Sequence, residues 1–132
     1  MSESLQQILK GNYDEFAKGN VDSLMSSLAD DITWHVSGGS PLAGEYVGKA
    51  EVLSFFGKMM QLYGGTLRLQ LVDILVGERH AAVLTQEESQ YAGKKLTFRS
   101  VHLWEVRDGK FSAFHVYYDD AYHTFLPLSG KV

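Results

Sequence analysis

Residues 66–118 hold four long segments of β-type sequence separated by short turn signals, and this succession limits the fold more than any other feature. From Thr66 to Val76 apolar and polar residues alternate, with Leu67, Leu69 and Leu71 on one side and Arg68, Gln70 and Val72 on the other. Gly77 to His80 reads as a turn, Ala81 to Tyr91 as a second strand, and Ala92-Gly93-Lys94 as another turn. Leu96 to Val106 is a third strand, Asp108-Gly109 a hairpin signal, and Lys110 to Tyr118 a fourth. Short turns between consecutive strands make an antiparallel meander. Strands of about ten residues exceed the usual length of about 5–6 and curve over their span.

Ahead of this meander the period changes to that of helices. Leu5, Ile8, Leu9, Tyr13, Phe16 and Ala17 form one apolar stripe, which Gly19-Asn20 ends. Asn20 is placed to cap a shorter helix carrying Val21, Leu24, Met25 and Leu28. Ile32 to Val36 reads as a short strand, and residues 37–44 as a loop suited either to plain connection or to the rim of a pocket. Val52, Phe55, Phe56, Met59, Met60 and Tyr63 give the clearest helical stripe, stopped by Gly64-Gly65. Helices gathered apart from an antiparallel run indicate an α+β fold. At 132 residues the chain is the length of one domain, 1–132, with enough surface to bury a core of its own.

Composition narrows the functional classes. With no cysteine, disulfides and thiolate metal sites are excluded. No histidine or acidic residues fall in a metal-ligand spacing, so no metal is expected. Twelve Lys and Arg residues are scattered along a chain of net charge −4, which gives no basic face for nucleic acid. There is no apolar run of membrane-spanning length, and the first residues lack the basic and apolar regions of a secretory signal. A cytoplasmic protein is the expectation.

The run Ala29-Asp-Asp-Ile-Thr-Trp-His-Val, the run Ser40-Pro-Leu-Ala-Gly-Glu-Tyr-Val-Gly-Lys and the ending Tyr118-Asp119-Asp120 resemble the nuclear transport factor 2-like superfamily, in its SnoaL-like and ketosteroid isomerase-like branch. The resemblance covers nearly the whole chain. It implies a cone of three helices packed on a strongly curved antiparallel sheet, with an apolar pocket at its open end. The superfamily includes isomerases, polyketide cyclases, dehydratases and non-catalytic members, so the fold alone does not settle function.

The period of two then selects the inward residues. Ser100, His102 and Trp104 share one face of the third meander strand, and Phe114, Val116 and Tyr118 one face of the fourth. Trp34 and Val36 share a face of the first strand, while Tyr13, Phe16, Phe56 and Met60 come from the helices. These residues define an expected apolar chamber for a hydrophobic small molecule, with His102, Tyr13 and Tyr118 as polar members. Two carboxylates that the resemblance leads one to expect of a ketosteroid isomerase are replaced, by Val36 and by His102. A histidine at 102 fits the SnoaL-like cyclases, whose catalytic aspartate falls at or near Val116 here; only a shift of register brings Asp119 into that role.

His102 is read either as a general acid or base or as a satisfied core histidine. Asp119 is read either as a base at the cone mouth or as a solvated strand end. His35 and His115 should face away, His80 and His123 carry no role, and Glu87 and Glu88, on opposite faces, receive none. The expected activity is isomerisation, cyclisation or dehydration of a hydrophobic carbonyl compound, with His102, Asp119 and Tyr13 as catalytic candidates and no cofactor. The rival readings are a non-catalytic binding module and an assembly domain. Val101, Leu103, His115 and Tyr117 on the sheet exterior point to a homodimer.

Overall fold

The computed structural model describes residues 4–38, 41–91 and 93–119. Gly39, Ser40, Ala92 and the stretch from Asp120 onward, with His123 and Phe125-Leu126, lie outside the described residues.

Helix α1 (Leu5–Ala17) opens with a capping box. Ser4 Oγ accepts from the Gln7 N–H at 3.2 Å, and Gln7 Oε1 accepts from the Ser4 N–H at 3.1 Å. Helix α2 (Asp22–Ser27) has Val21 at its cap position, with no side-chain cap bond. Asn20 serves from one residue earlier, its Oδ1 accepting from the Asp22 N–H at 3.0 Å. Strand β1 (Leu28–Val36) follows α2 directly and is longer than its β-branched centre suggested. A four-residue strand β2 (Gly44–Val47), unforeseen within a glycine-rich loop, pairs back onto it. Helix α3 (Lys49–Tyr63) ends at Gly64, whose N–H still bonds the Met60 carbonyl at 2.8 Å while its left-handed φ of 59° turns the chain out of the helix.

The meander forms β3 (Arg68–Val76), β4 (His80–Tyr91), β5 (Lys94–Arg107) and β6 (Lys110–Tyr118). Together with β1 and β2 it makes one six-stranded sheet in the order β2-β1-β6-β5-β4-β3. The sheet is antiparallel except where β1 lies parallel to β6, a pairing that closes the meander back onto the start of the chain. The fold is the expected α+β arrangement of three helices on a curved sheet.

The register stacks inward side chains in rows across the strands. One row runs Tyr46–Trp34–Phe114–Trp104–Ala81. The next runs Val36–Val116–His102–Val83, followed by Tyr118–Ser100–Thr85 and then by Phe98–Glu87. Every residue of these rows is buried except Tyr118, which is partly so. Trp34 stacks on Phe114 with ring centroids 3.9 Å apart and meets Trp104 edge-on at 5.6 Å. Such pairs contribute about 0.5–1.5 kcal/mol beyond the area they bury. Phe55 and Phe56 of α3 close over Trp34 from the helical side, at 5.8 and 5.5 Å. Among the described residues, no helix is long and apolar enough to cross a membrane.

Candidate functional site

The rows leave free space where the helices stand off from the sheet. Counting its open mouth and the solvent within it, the space between the atoms of this chamber comes to about 570 Å³. Tyr13 and Phe16 from α1, Phe56 from α3, Trp34 from β1, His102 and Trp104 from β5, and Phe114, Val116 and Tyr118 from β6 all line it, as the alternation and the helical stripes indicate. Asn12, Leu24, Phe55, Met59, Leu67, Leu69 and Glu87 line it as well.

Four expected members stand elsewhere. Val36 is sealed in the core beside Val116 and does not reach the free space. Met60 is 62% exposed, because one step of about 100° along α3 carries it past the chamber; Met59 takes the inward place. Met60 lines an outer groove that shares Phe16 and Phe56 with the chamber. Ser100 points inward but lies behind the wall, bonded to Glu87. Asp119 is one residue out of phase with Tyr118 and is held outside. Its Oδ1 accepts from the Arg99 N–H at 3.1 Å, and its Oδ2 lies 3.5 Å from the Arg99 Nε.

Four polar side chains of the chamber wall stand in a line. Trp104 Nε1–H can only donate, and it donates to the Tyr13 oxygen at 3.1 Å. The Tyr13 hydroxyl is 2.5 Å from Nδ1 of His102, and the two rings stack at 5.6 Å. The phenol hydrogen is free to bond Nδ1, which leaves the imidazole hydrogen on Nε2. Nε2 lies 3.6 Å from Oε2 of Glu87. That same oxygen accepts from Ser100 Oγ at 2.5 Å and from Thr85 Oγ1 at 3.1 Å. The result is a continuous line, Trp104–Tyr13–His102–Glu87, backed by two hydroxyls that offset the cost of burying a carboxylate. The line holds groups of the kinds that donate and accept protons.

Glu87 is the residue that the sequence reading passed over. Its signal is present in β4, where Ala81, Val83, Thr85, Glu87 and Ser89 are all buried at alternate positions. The adjacent Glu88 makes the pair look like ordinary solvated charge.

Burial, first, pushes the Tyr13 phenol well above its ordinary range; the Trp104 N–H opposes this and the Glu87 charge adds to it. Tyr118 and Tyr63 are raised by burial and by the charge of Glu87. All three are therefore hydroxyl donors at neutral pH. Among the described residues, no group of three or more His, Asp or Glu could hold a metal ion.

A model of the SnoaL-like domain matches residues 10–114. The chain belongs to the SnoaL-like family. Its structure is similar to that of an NTF2-like protein from Burkholderia thailandensis, with a TM-score of 0.85 at 20% identity, over 98% of this chain and 99% of that one. It is also similar to Bal32a from a soil-derived mobile gene cassette, with a TM-score of 0.83 at 20% identity over 90% and 94% of the two chains. TerC, co-crystallised with polyporic acid, gives 0.79 at 23% identity over 92% and 96%. These likenesses concern the fold. Among curated proteins none matches this sequence.

The raised phenols have a consequence for stability. A tyrosine whose folded form holds its proton more tightly than the unfolded chain contributes stability that is present below the ordinary value of 10.0 and lost as pH rises beyond it. In an alkaline titration, Tyr13, Tyr63 and Tyr118 are expected to ionise only as the circular dichroism of the folded protein is lost. Smooth ionisation of all seven tyrosines near the ordinary value, with the fold intact, would contradict their placement.

Proposed function

We propose that this SnoaL-like protein binds a small, mainly apolar carbonyl compound in the chamber and moves a proton on it, using its own side chains as acid and base. Isomerisation, dehydration and aldol-type cyclisation all need such a step. The observation that carries this reading is the Trp104–Tyr13–His102–Glu87 line on the wall of an otherwise apolar pocket. That TerC, of the same fold, was crystallised with polyporic acid is in keeping with a chamber that admits a small organic molecule.

In the forward step a substrate C–H or O–H bond breaks and its proton goes to the Tyr13 oxygen. The phenol passes its own hydrogen to Nδ1 of His102. Tyr13 ends as it began, His102 becomes an imidazolium beside Glu87, and the substrate carries the negative charge. Return of the proton by the same path to a different substrate atom completes an isomerisation and restores the neutral imidazole. The apolar walls of Phe56, Phe114 and Trp34 keep water from competing for the anion.

Non-catalytic binding is the second reading, favoured by the valines, Val36 and Val116, at places where the resembled enzymes carry carboxylates. Exchange of the protons beside the carbonyl of benzylacetone in heavy water separates the two readings. For an enzyme, Tyr13→Phe and His102→Ala are expected to slow exchange by about 10²–10⁴-fold, the contribution of a general acid or base. For a binding module, the wild type gives no exchange above buffer, and the same variants change affinity by no more than about tenfold.

We also propose that the sheet exterior pairs with a second copy. The register places Leu84, Val101 and Tyr117 in one outward row, and Leu75, Ala82, Leu103 and His115 in the next. Val101 and Tyr117 are 37% and 48% exposed, and Leu75 is 54% exposed, so this apolar face has no cover within the described residues of the chain. Sedimentation at micromolar concentration is expected to give twice the chain mass of 14.7 kDa; a monomeric mass would rule this out.

A further inference from the structure

Glu87 carries no proton in the proposed path, yet it is the one carboxylate on the chamber wall among the described residues. Its side chain is only 8% exposed. Among the described residues, no Lys or Arg pairs with it; its single ion-pair partner is His102. The other titratable groups that face this corner are phenols: Tyr13 from α1, Tyr63 from α3 and Tyr118 from β6. A charge is thus buried here with only hydroxyls and an imidazole to hold it.

Three groups converge on one oxygen. Ser100 Oγ and Thr85 Oγ1 bond Oε2 at 2.5 and 3.1 Å, and these two hydroxyls lie 2.5 Å from each other. The triangle fixes the carboxylate rotamer and aims Oε2 at Nε2 of His102, 3.6 Å away. An amide oxygen at this place would accept the same bonds. A carboxylate differs from an amide chiefly in charge, and that charge is matched only when His102 carries a second proton.

We propose that Glu87 is a positioning residue that acts through His102. It keeps the imidazole hydrogen on Nε2, so that Nδ1 stays bare toward Tyr13, and it balances the imidazolium formed when Tyr13 delivers a proton. This rests on the reading of Tyr13 and His102 as proton carriers, but its first half holds in the free protein without any substrate.

Nitrogen NMR of histidine-labelled protein, with His102 assigned among the five histidines by its His102→Ala variant, tests it. In the wild type at neutral pH the His102 hydrogen is expected on Nε2. Glu87→Gln should keep that tautomer, since an oxygen still faces Nε2, but Nδ1 should become protonated only at lower pH than in the wild type. Glu87→Leu should shift population to the Nδ1–H form. Benzylacetone exchange should fall about tenfold in Glu87→Gln with half-saturation unchanged, since the imidazolium formed in the step loses the counter-charge 3.6 Å away. Glu87→Asp, which keeps the charge, should recover part of the rate.

A wild-type His102 carrying its hydrogen on Nδ1, or identical pH behaviour in wild type and Glu87→Gln, would overturn the inference whatever the exchange rates show. Expected spectra in a protein that exchanges no benzylacetone proton would sink the catalytic reading and leave the hold of Glu87 on His102 standing. Should Glu87→Leu fail to fold, the comparison with Glu87→Gln decides the matter.

Discussion

The parallel pairing of β1 with β6 brings Trp34 against Phe114, and much else follows from that contact. It joins the first strand of the chain to the last strand of the meander. It also completes the aromatic row Tyr46–Trp34–Phe114–Trp104 across four strands. Phe55 and Phe56 then have a surface to pack on, which seats α3. Trp104, fixed at 4.6 Å from Phe114, aims its indole N–H at Tyr13 of α1. The stacking that holds the sheet together therefore also positions the first donor of the polar line.

The line itself is expensive to build. Each of its groups loses water on burial, and an unmet donor or acceptor at such depth costs about 1–3 kcal/mol. A core of equal volume made only of apolar residues would be as stable or more so, since buried charges seldom add net stability. A buried carboxylate, an imidazole, a phenol and two hydroxyls, each with a partner, on the wall of a chamber otherwise lined mostly by apolar side chains, make sense if the chamber acts on a molecule rather than merely closing around itself.

Much of this was legible in the residues. The helical stripes, the turn signals and the four long strands gave the element order and most of the inward faces. The phase of Ser100, His102 and Trp104 placed His102 on the correct side because alternation along a strand is rigid. Local patterns failed where the answer depended on distant parts of the chain. No property of residues 28–36 says whether they will lie parallel or antiparallel to a strand some eighty positions on. The short β2 is set by its pairing with β1, and its glycine-rich surroundings read as loop. Met60 and Met59 differ by a single helical step, which a stripe of mixed width does not resolve. Asp119 drew notice as an acid near the chamber, but its phase sets it beside Arg99 on the outside. Glu87 was hidden for the opposite reason: its phase is inward, but its type belongs on surfaces, and only Ser100, Thr85 and His102, supplied by pairing within the sheet, make a buried carboxylate tenable there.

The most direct test of a proton-handling chamber is the hydroxyl proton resonance of Tyr13, observed with and without benzylacetone. The hydrogen shared by Tyr13 and His102 is expected to resonate far downfield in the wild type, to be absent in Tyr13→Phe, and to move when benzylacetone binds. No such resonance, or one that stays in place while benzylacetone binds, would contradict the assignment of this wall as the place where a carbonyl compound is held and acted upon.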